Sequence, residues 1–202
     1  MTGPGVPAVP APRKPGRPRS EQADQAILAA TLEEFARCGP GGLGIEQVAA
    51  RAGVGKATIY RRWPTKEDLL LEAIGRLVTP LPQPLGRSVR SDLAALVEAL
   101  CKEATDPRRA RQFALLHGDG LQYPRLLARY NELVMEPRRE LIRSVLRRGV
   151  ATGELREDAD TEAATFLLTG AVLARGGATR DATHARYARR VVEELLRGLA
   201  AR

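Results

Sequence analysis

Residues 44–70 read GIEQVAARAGVGKATIYRRWPTKEDLL, and the punctuation of this stretch sets the fold. Apolar residues at helical spacing predict a short helix from Ile45 to Ala52 and a second from about Gly55 to Trp63, with Gly53 between them. Gly53 can take the positive φ that so tight a turn demands. Ala49 is small where the second helix approaches, and Val54 and Ile59 are spaced to fill the gap between the two helices. Pro64 stops the second helix, and Thr65-Lys-Glu-Asp68 is a capping-box-like start for a leucine-rich third running to about Val78. Two short helices joined by a glycine turn make the helix-turn-helix pattern of DNA-binding proteins. The second helix then presents Lys56, Ala57, Thr58, Tyr60, Arg61 and Arg62. Donors, a methyl and an aromatic together suit base edges and phosphates. The same residues also suit an ordinary helical hairpin with a solvated basic face, and periodicity alone does not choose between the two.

Upstream, Ser20 is placed as an N-cap, with Glu21 and Asp24 in a first turn where the helix dipole favours acids. Ile27, Leu28, Thr31, Leu32 and Phe35 mark one face, and GPGGLG at 39–44 ends the helix. Residues 1–19 hold six of the fourteen prolines and four bases with no acid, which predicts a disordered, extended basic arm. Downstream, TPLPQPLG at 79–86 is a loop, followed by helical patterns near 88–105, 107–117, 122–152, 160–178 and 182–200. Asp106 and Asp160 are placed as N-caps, and Pro137 predicts a kink or a break in the longest pattern. No stretch alternates with period two for long enough to be a strand, so the class is all-α. The organisation expected is an arm (1–19), a three-helix DNA-binding domain (20–66) and a larger helical domain (67–202).

Lysine and arginine total 32 against 24 acids, and residues 1–66 carry ten bases against five acids. The excess positive charge is therefore concentrated where the short helices lie, which favours nucleic acid over a membrane surface as the anionic partner. No apolar run is long enough to span a bilayer, so no membrane partner is expected. Two cysteines, Cys38 and Cys101, are too few for a disulfide scaffold and suit a reducing cytoplasm. His117 and His184 have no His or Cys within a helical turn, so neither a metal nor a cofactor is expected. GVGKAT at 53–58 has Ala50 where a phosphate loop needs its first glycine, and no strand precedes it. No nucleophile–base–acid set stands out.

Residues 44–70 resemble the signature of the tetracycline-repressor (TetR) family of bacterial transcriptional regulators. The resemblance is strong over about residues 20–70 and rests beyond that on length and helical pattern. The chain departs from the family at Gly44 and Gly55, where threonine and serine caps are usual, and at Ala57, where glycine is common. Arg62 and Trp63 stand where tyrosine and phenylalanine are common. The resemblance implies DNA contacts from Thr58, Tyr60 and Lys66, with Lys66 at a helix N-terminus beside phosphate. It also implies a cytoplasmic, non-enzymatic homodimer that sits on the nucleoid when bound to a palindromic operator and leaves it when a small effector binds the C-terminal domain. Pairing would run through the last two long helices, with Leu167, Leu168, Val172, Val191, Leu195 and Leu196 as interface candidates.

Helical spacing places the effector between the segments near 88–105, 107–117 and 122–136. The lining expected is Leu96, Leu100, Phe113, His117, Tyr123, Leu127 and Tyr130, with the histidine and tyrosines as polar handles. With no acid among them, a neutral or weakly anionic lipophilic ligand is favoured over a polycation. In the arm, Gly16-Arg17-Pro18 is similar to the core of an AT-hook. Arg17 and Arg19 would then either enter an A·T-rich minor groove or form a solvated tail that adds sequence-independent attraction. Two other functional classes stay open at this point: an architectural nucleic-acid-binding protein without an effector, and a small helical enzyme.

Overall fold

The computed structural model describes residues 18–118, 122–175 and 183–199. The arm through Arg17 and the side chain of Arg19 lie outside the described residues. Helix α1 (Pro18–Gly42) begins ahead of Ser20, the expected cap. A proline suits a first turn because the N–H it lacks would have no partner there. Gly39, at φ 70°, breaks the helix, and one more turn follows it. Next come α2 (Ile45–Ala52), α3 (Lys56–Tyr60) and α4 (Lys66–Ile74), the last ending in a 3₁₀ turn, Gly75–Leu77. The remaining helices are α5 (Val89–Ala104), α6 (Pro107–Gly118), α7 (Pro124–Tyr130), α8 (Glu136–Ala151), α9 (Thr161–Arg175) and α10 (His184–Leu199). No strand occurs among the described residues.

Local capping follows the sequence closely. Ser88 accepts from the Ser91 N–H at the start of α5. Asp106 accepts from the Arg109 N–H, and Asp160 from the N–H groups of Glu162 and Ala163. At Pro137 the helix does not break. Instead α7 passes through a π-helical turn, Asn131–Met135, straight into α8. Proline cannot return an N–H to the carbonyl four residues back and crowds it. The wider π turn just before it absorbs that misfit.

Two apolar cores result. One joins α1–α4 to α6 and α7 through Phe35, Ile59, Leu69, Ile74, Leu116 and Leu126. It thus runs well past residue 66, the expected domain limit. The other joins α5, α8, α9 and α10 through Leu93, Leu96, Ile142, Leu146, Leu168 and Val192. Near the start of α5 the buried Asp92 carboxylate accepts from the Leu85 and Gly86 N–H groups, both at 3.0 Å, and from Arg148 Nη2 at 2.6 Å. Three donors on one carboxylate close the proline-rich loop against α5 and fasten α8 to both.

Gly149 marks the tightest approach of α8 to α5. A Cβ there would lie 2.5 Å from Val89 Cγ2 and 2.9 Å from Leu155 Cδ1. Gly149→Ala is therefore expected to lower stability by about 1–2 kcal/mol through overpacking, read as a shift of the urea midpoint with an unchanged slope. A midpoint at or above wild type would show that the crossing can widen without cost.

Candidate nucleic-acid interface and cavity

Alternating anchors and turns make the helix-turn-helix. Val48 and Ala49 bury one face of α2. Gly53 caps it in the left-handed region (φ 67°), its N–H returning to the carbonyls of Ala49 and Ala50. Half-buried Val54 packs on the core, and Ile59 is fully buried, which sets the roll of α3. Trp63 is also buried, and its indole N–H donates to Glu72 Oε2 at 2.7 Å, so the bulky residue is accommodated without an orphan donor. Gly44 and Gly55 begin α2 and α3 with no side-chain cap. Thr65 and Asp68 form the reciprocal capping box at α4.

A buried acid that the sequence did not advertise fixes the first two helices together. Glu34 of α1 is 2% exposed and takes Arg37 Nη2 and Arg51 Nη2, the latter from α2, at 2.7 Å each. Bonds from Arg37 and Arg51 hold its carboxyl below the usual range, against the opposing effect of burial. An acid at this spacing in a helix reads as solvated, so only packing reveals the tether.

The outer face of this unit carries most of the expected DNA-facing residues. Lys56, Ala57, Arg61 and Lys66 are exposed, Tyr60 is 49% exposed, and Thr58 is half-buried beside them. Lys56 Nζ lies 2.9 Å from Glu46 Oε1, and Lys66 Nζ donates to the Gly41 carbonyl at 3.3 Å. Arg62 corrects the expectation of an open basic residue. Its guanidinium turns back to Asp24 of α1 at 2.8 Å and is only half-exposed, so it braces the end of α3. Lys56 and Ala57 at the start of α3, Arg61 just past its end and Lys66 at the start of α4 thus remain outward around Tyr60, on a scaffold held by apolar anchors beneath.

A cavity of about 280 Å³ lies where the two cores meet. Leu100, Phe113 and Tyr130 line it, together with Leu77, Ala110, Val134, Met135, Thr169 and Val172. The other expected lining residues do not. Leu96 is buried in the second core, His117 is exposed against the Phe113 ring, Tyr123 packs on the first core, and Leu127 is half-buried off the cavity. His117 and Leu96 each sit a turn beyond the stretch where their helices meet, on α6 and α5, and spacing within one helix does not locate that stretch. The expectation of a lining without acids also fails, because Glu103, Arg109, Arg138 and Gln112 border the space.

The last two helices divide the six interface candidates. Leu168, Val172 and Leu196 are buried within the protomer, so they fill its own core. Leu167 is 65% exposed, while Val191 and Leu195 are half-buried beside it. Phe166 and Leu173 are exposed too and were not singled out. Because α9 is apolar on nearly all sides, composition alone cannot say which side turns inward. Among the described residues no helix is long and apolar enough to cross a membrane, and no cluster of metal-ligating side chains occurs.

Comparison with known proteins agrees with this geometry. Residues 27–73 match the model of "Bacterial regulatory proteins, tetR family", and residues 84–195 match "Tetracyclin repressor-like, C-terminal domain". The HTH-type transcriptional regulator YdeS of Bacillus subtilis is 31% identical over 178 residues, covering 88% of this chain and 89% of the relative. Two similar crystal structures are FadR of Bacillus subtilis in complex with stearoyl-CoA and a transcriptional regulator of Saccharomonospora viridis in complex with choline. The first has a TM-score of 0.65 and 19% identity, covering 87% of this chain and 98% of that one. The second has a TM-score of 0.67 and 20% identity, covering 90% and 100%. With family models matched over residues 27–73 and 84–195 and a relative aligned over most of both chains, this protein belongs to the TetR family of helix-turn-helix transcriptional regulators.

Proposed function

We propose that the protein is a homodimeric repressor that holds a palindromic operator and releases it when a small molecule enters the cavity. The observation that carries this reading is the pairing of an outward-facing α3 with a mostly apolar cavity placed between the core of the DNA-binding unit and that of the C-terminal helices. In the dimer, two α3 helices would stand about one turn of DNA apart, roughly 34–36 Å. Tyr60, Thr58 and Ala57 would meet base edges, while Arg61, Lys56 and Lys66 would meet phosphates. A ligand that fits the cavity better in one spacing of the two reading units than in the other shifts the balance between them. Two proteins of this fold form complexes with small molecules, stearoyl-CoA and choline, which supports a small-molecule effector here.

The exposed stripe of Ala163, Phe166, Leu167, Gly170 and Leu173 on α9, with Val191 and Leu195 of α10, is the face we assign to pairing. A contiguous apolar patch on a protomer marks an interface, and a two-fold pair would set the stripe against its own copy.

Selection of bound duplexes from a random pool tests the reading, with a palindrome as the expected product. On that sequence Tyr60→Ala should weaken binding about 10- to 100-fold and relax preference at one position of each half-site. Lys66→Ala should weaken all duplexes alike and flatten the salt dependence. Full affinity in both variants at moderate salt would remove α3 as the reading helix.

A further inference from the structure

The cavity is apolar in most of its lining but not neutral. Glu103 of α5 lies between two guanidinium groups, Arg138 Nη2 at 2.6 Å and Arg109 Nη1 at 3.2 Å. One carboxylate against two permanent cations leaves one positive charge at the wall of a largely apolar space. The side chains of Glu103 and Arg138 are each only 13% exposed, so water screens the charge poorly at Arg138, while Arg109, 32% exposed, is screened more. Arg109 spends its other donors on the Leu77 carbonyl and Thr79 Oγ1. Arg138 has five N–H donors, and its one hydrogen bond among the described residues goes to Glu103.

Two acceptors look for a donor in the same space: Glu103 Oε1, buried without a hydrogen bond although Arg109 Nη1 stands 3.2 Å away, and the side-chain oxygen of Gln112. Gln112 is almost fully buried, its amide N–H₂ donates to the Leu32 carbonyl at 3.4 Å, and its Oε1 is buried without a hydrogen bond. A buried carbonyl left alone costs free energy that a donor on a guest would recover. The volume, about 280 Å³, is at the low end for small-molecule sites, so the guest is compact.

Resting on the effector reading of this cavity, we propose that its ligand is a compact, mainly apolar monocarboxylate whose carboxylate binds Arg138 beside the Glu103–Arg109 pair. The anion completes the charge balance, with two cations against two carboxylates, and uses donors on Arg138 that Glu103 leaves over. A hydroxyl or N–H group elsewhere on the guest serves Gln112 Oε1. An ammonium ligand would add a second uncompensated positive charge, and a neutral amide would leave the existing one in place.

The test uses the full chain and three probes of one shape: 3-(4-hydroxyphenyl)propionate, its primary amide and the corresponding amine. Affinities come from titration calorimetry, and operator affinity is followed by fluorescence anisotropy in parallel. The carboxylate is expected to bind at least about tenfold more tightly than the other two, the factor that a charged hydrogen bond supplies. Arg138→Met should erase that preference. Glu103→Gln moves the other way: it raises the local charge and should tighten the carboxylate several-fold, so a poorly folded Arg138 variant does not leave the idea unchecked. An amide or amine that binds as well as the carboxylate and releases the operator overturns the charge assignment while leaving the effector role intact. Preferential carboxylate binding that leaves operator affinity unchanged upholds the site and removes the effector role. Failure of all three probes to bind overturns the proposal.

Discussion

Leu167→Glu is expected to separate the protomers and lower operator affinity by about 10²–10⁴-fold while leaving each protomer folded. Leu167 is 65% exposed in the protomer, so a carboxylate there meets water and costs the isolated chain little. Pairing across a two-fold axis would set two such carboxylates in the same apolar seam. Each would lose its hydration beside a like charge, and the nearby Arg139 guanidinium already stacks over the Phe166 ring, 5.2 Å from its centre. Operator binding suffers because two weak half-site contacts add up only when one body carries both. Sedimentation velocity at micromolar concentration reads the mass, and far-ultraviolet circular dichroism reads the fold. A variant that sediments as a dimer would place the pairing surface elsewhere.

Asp92→Ala should be the most destabilising single change outside the apolar cores, at about 3 kcal/mol in urea unfolding at neutral pH. It strands the buried N–H groups of Leu85 and Gly86 and removes the 2.6 Å partner of Arg148. The part exposure of Arg148 holds the loss below that of a fully buried pair. Burial alone would raise the Asp92 carboxyl, but Arg148 and the two backbone donors outweigh it and hold the group below its ordinary value of 3.8. A lowered carboxyl stabilises the fold above its unfolded value and ceases to as acid protonates the folded form. The gap between wild type and Asp92→Ala should therefore be full at neutral pH and shrink only below about pH 4. A gap that stays constant down to pH 2.5 would assign the effect to lost packing instead of charge.

Features set by a few neighbouring residues were legible in the sequence. Gly53 turns where its freedom is needed, Ile59 anchors α3, Thr65 pairs with Asp68, and Asp160 caps α9. Each depends on contacts within about one helical turn, which spacing encodes. Features made by distant helices were not. Glu34, Asp92 and Glu103 look like surface acids until Arg51, Arg148 and Arg138 arrive from other helices. Leu96 and Leu100 share a stripe on α5, yet only Leu100 borders the cavity, because the stripe says nothing of where α6 and α9 cross it. In α9, Leu167 and Leu168 are adjacent and equally apolar, and one is surface while the other is core.

The π turn between Tyr130 and Glu136 gives one helix something like a reading frame. Each residue of an α-helix advances the facing direction by about 100°, and the wider turn offsets every side chain after it. Five residues of the π turn advance the direction about as far as four of an α-helix, so loss of one residue between Asn131 and Met135 would let the turn close into ordinary α-helix and leave the faces after it in place. The same loss inside α8, ahead of Ile142, has no wider turn to absorb it: Ile142, Val145 and Leu146, all buried in the second core, would swing round by about 100°, and charged neighbours such as Arg147 would move toward their places. A single-codon deletion in α8 that spares every core residue by name would thus act on helix faces as a frameshift acts on codons. Insertions and deletions in α8 are constrained by phase, whereas the π turn can give up its one extra residue without turning any face that follows.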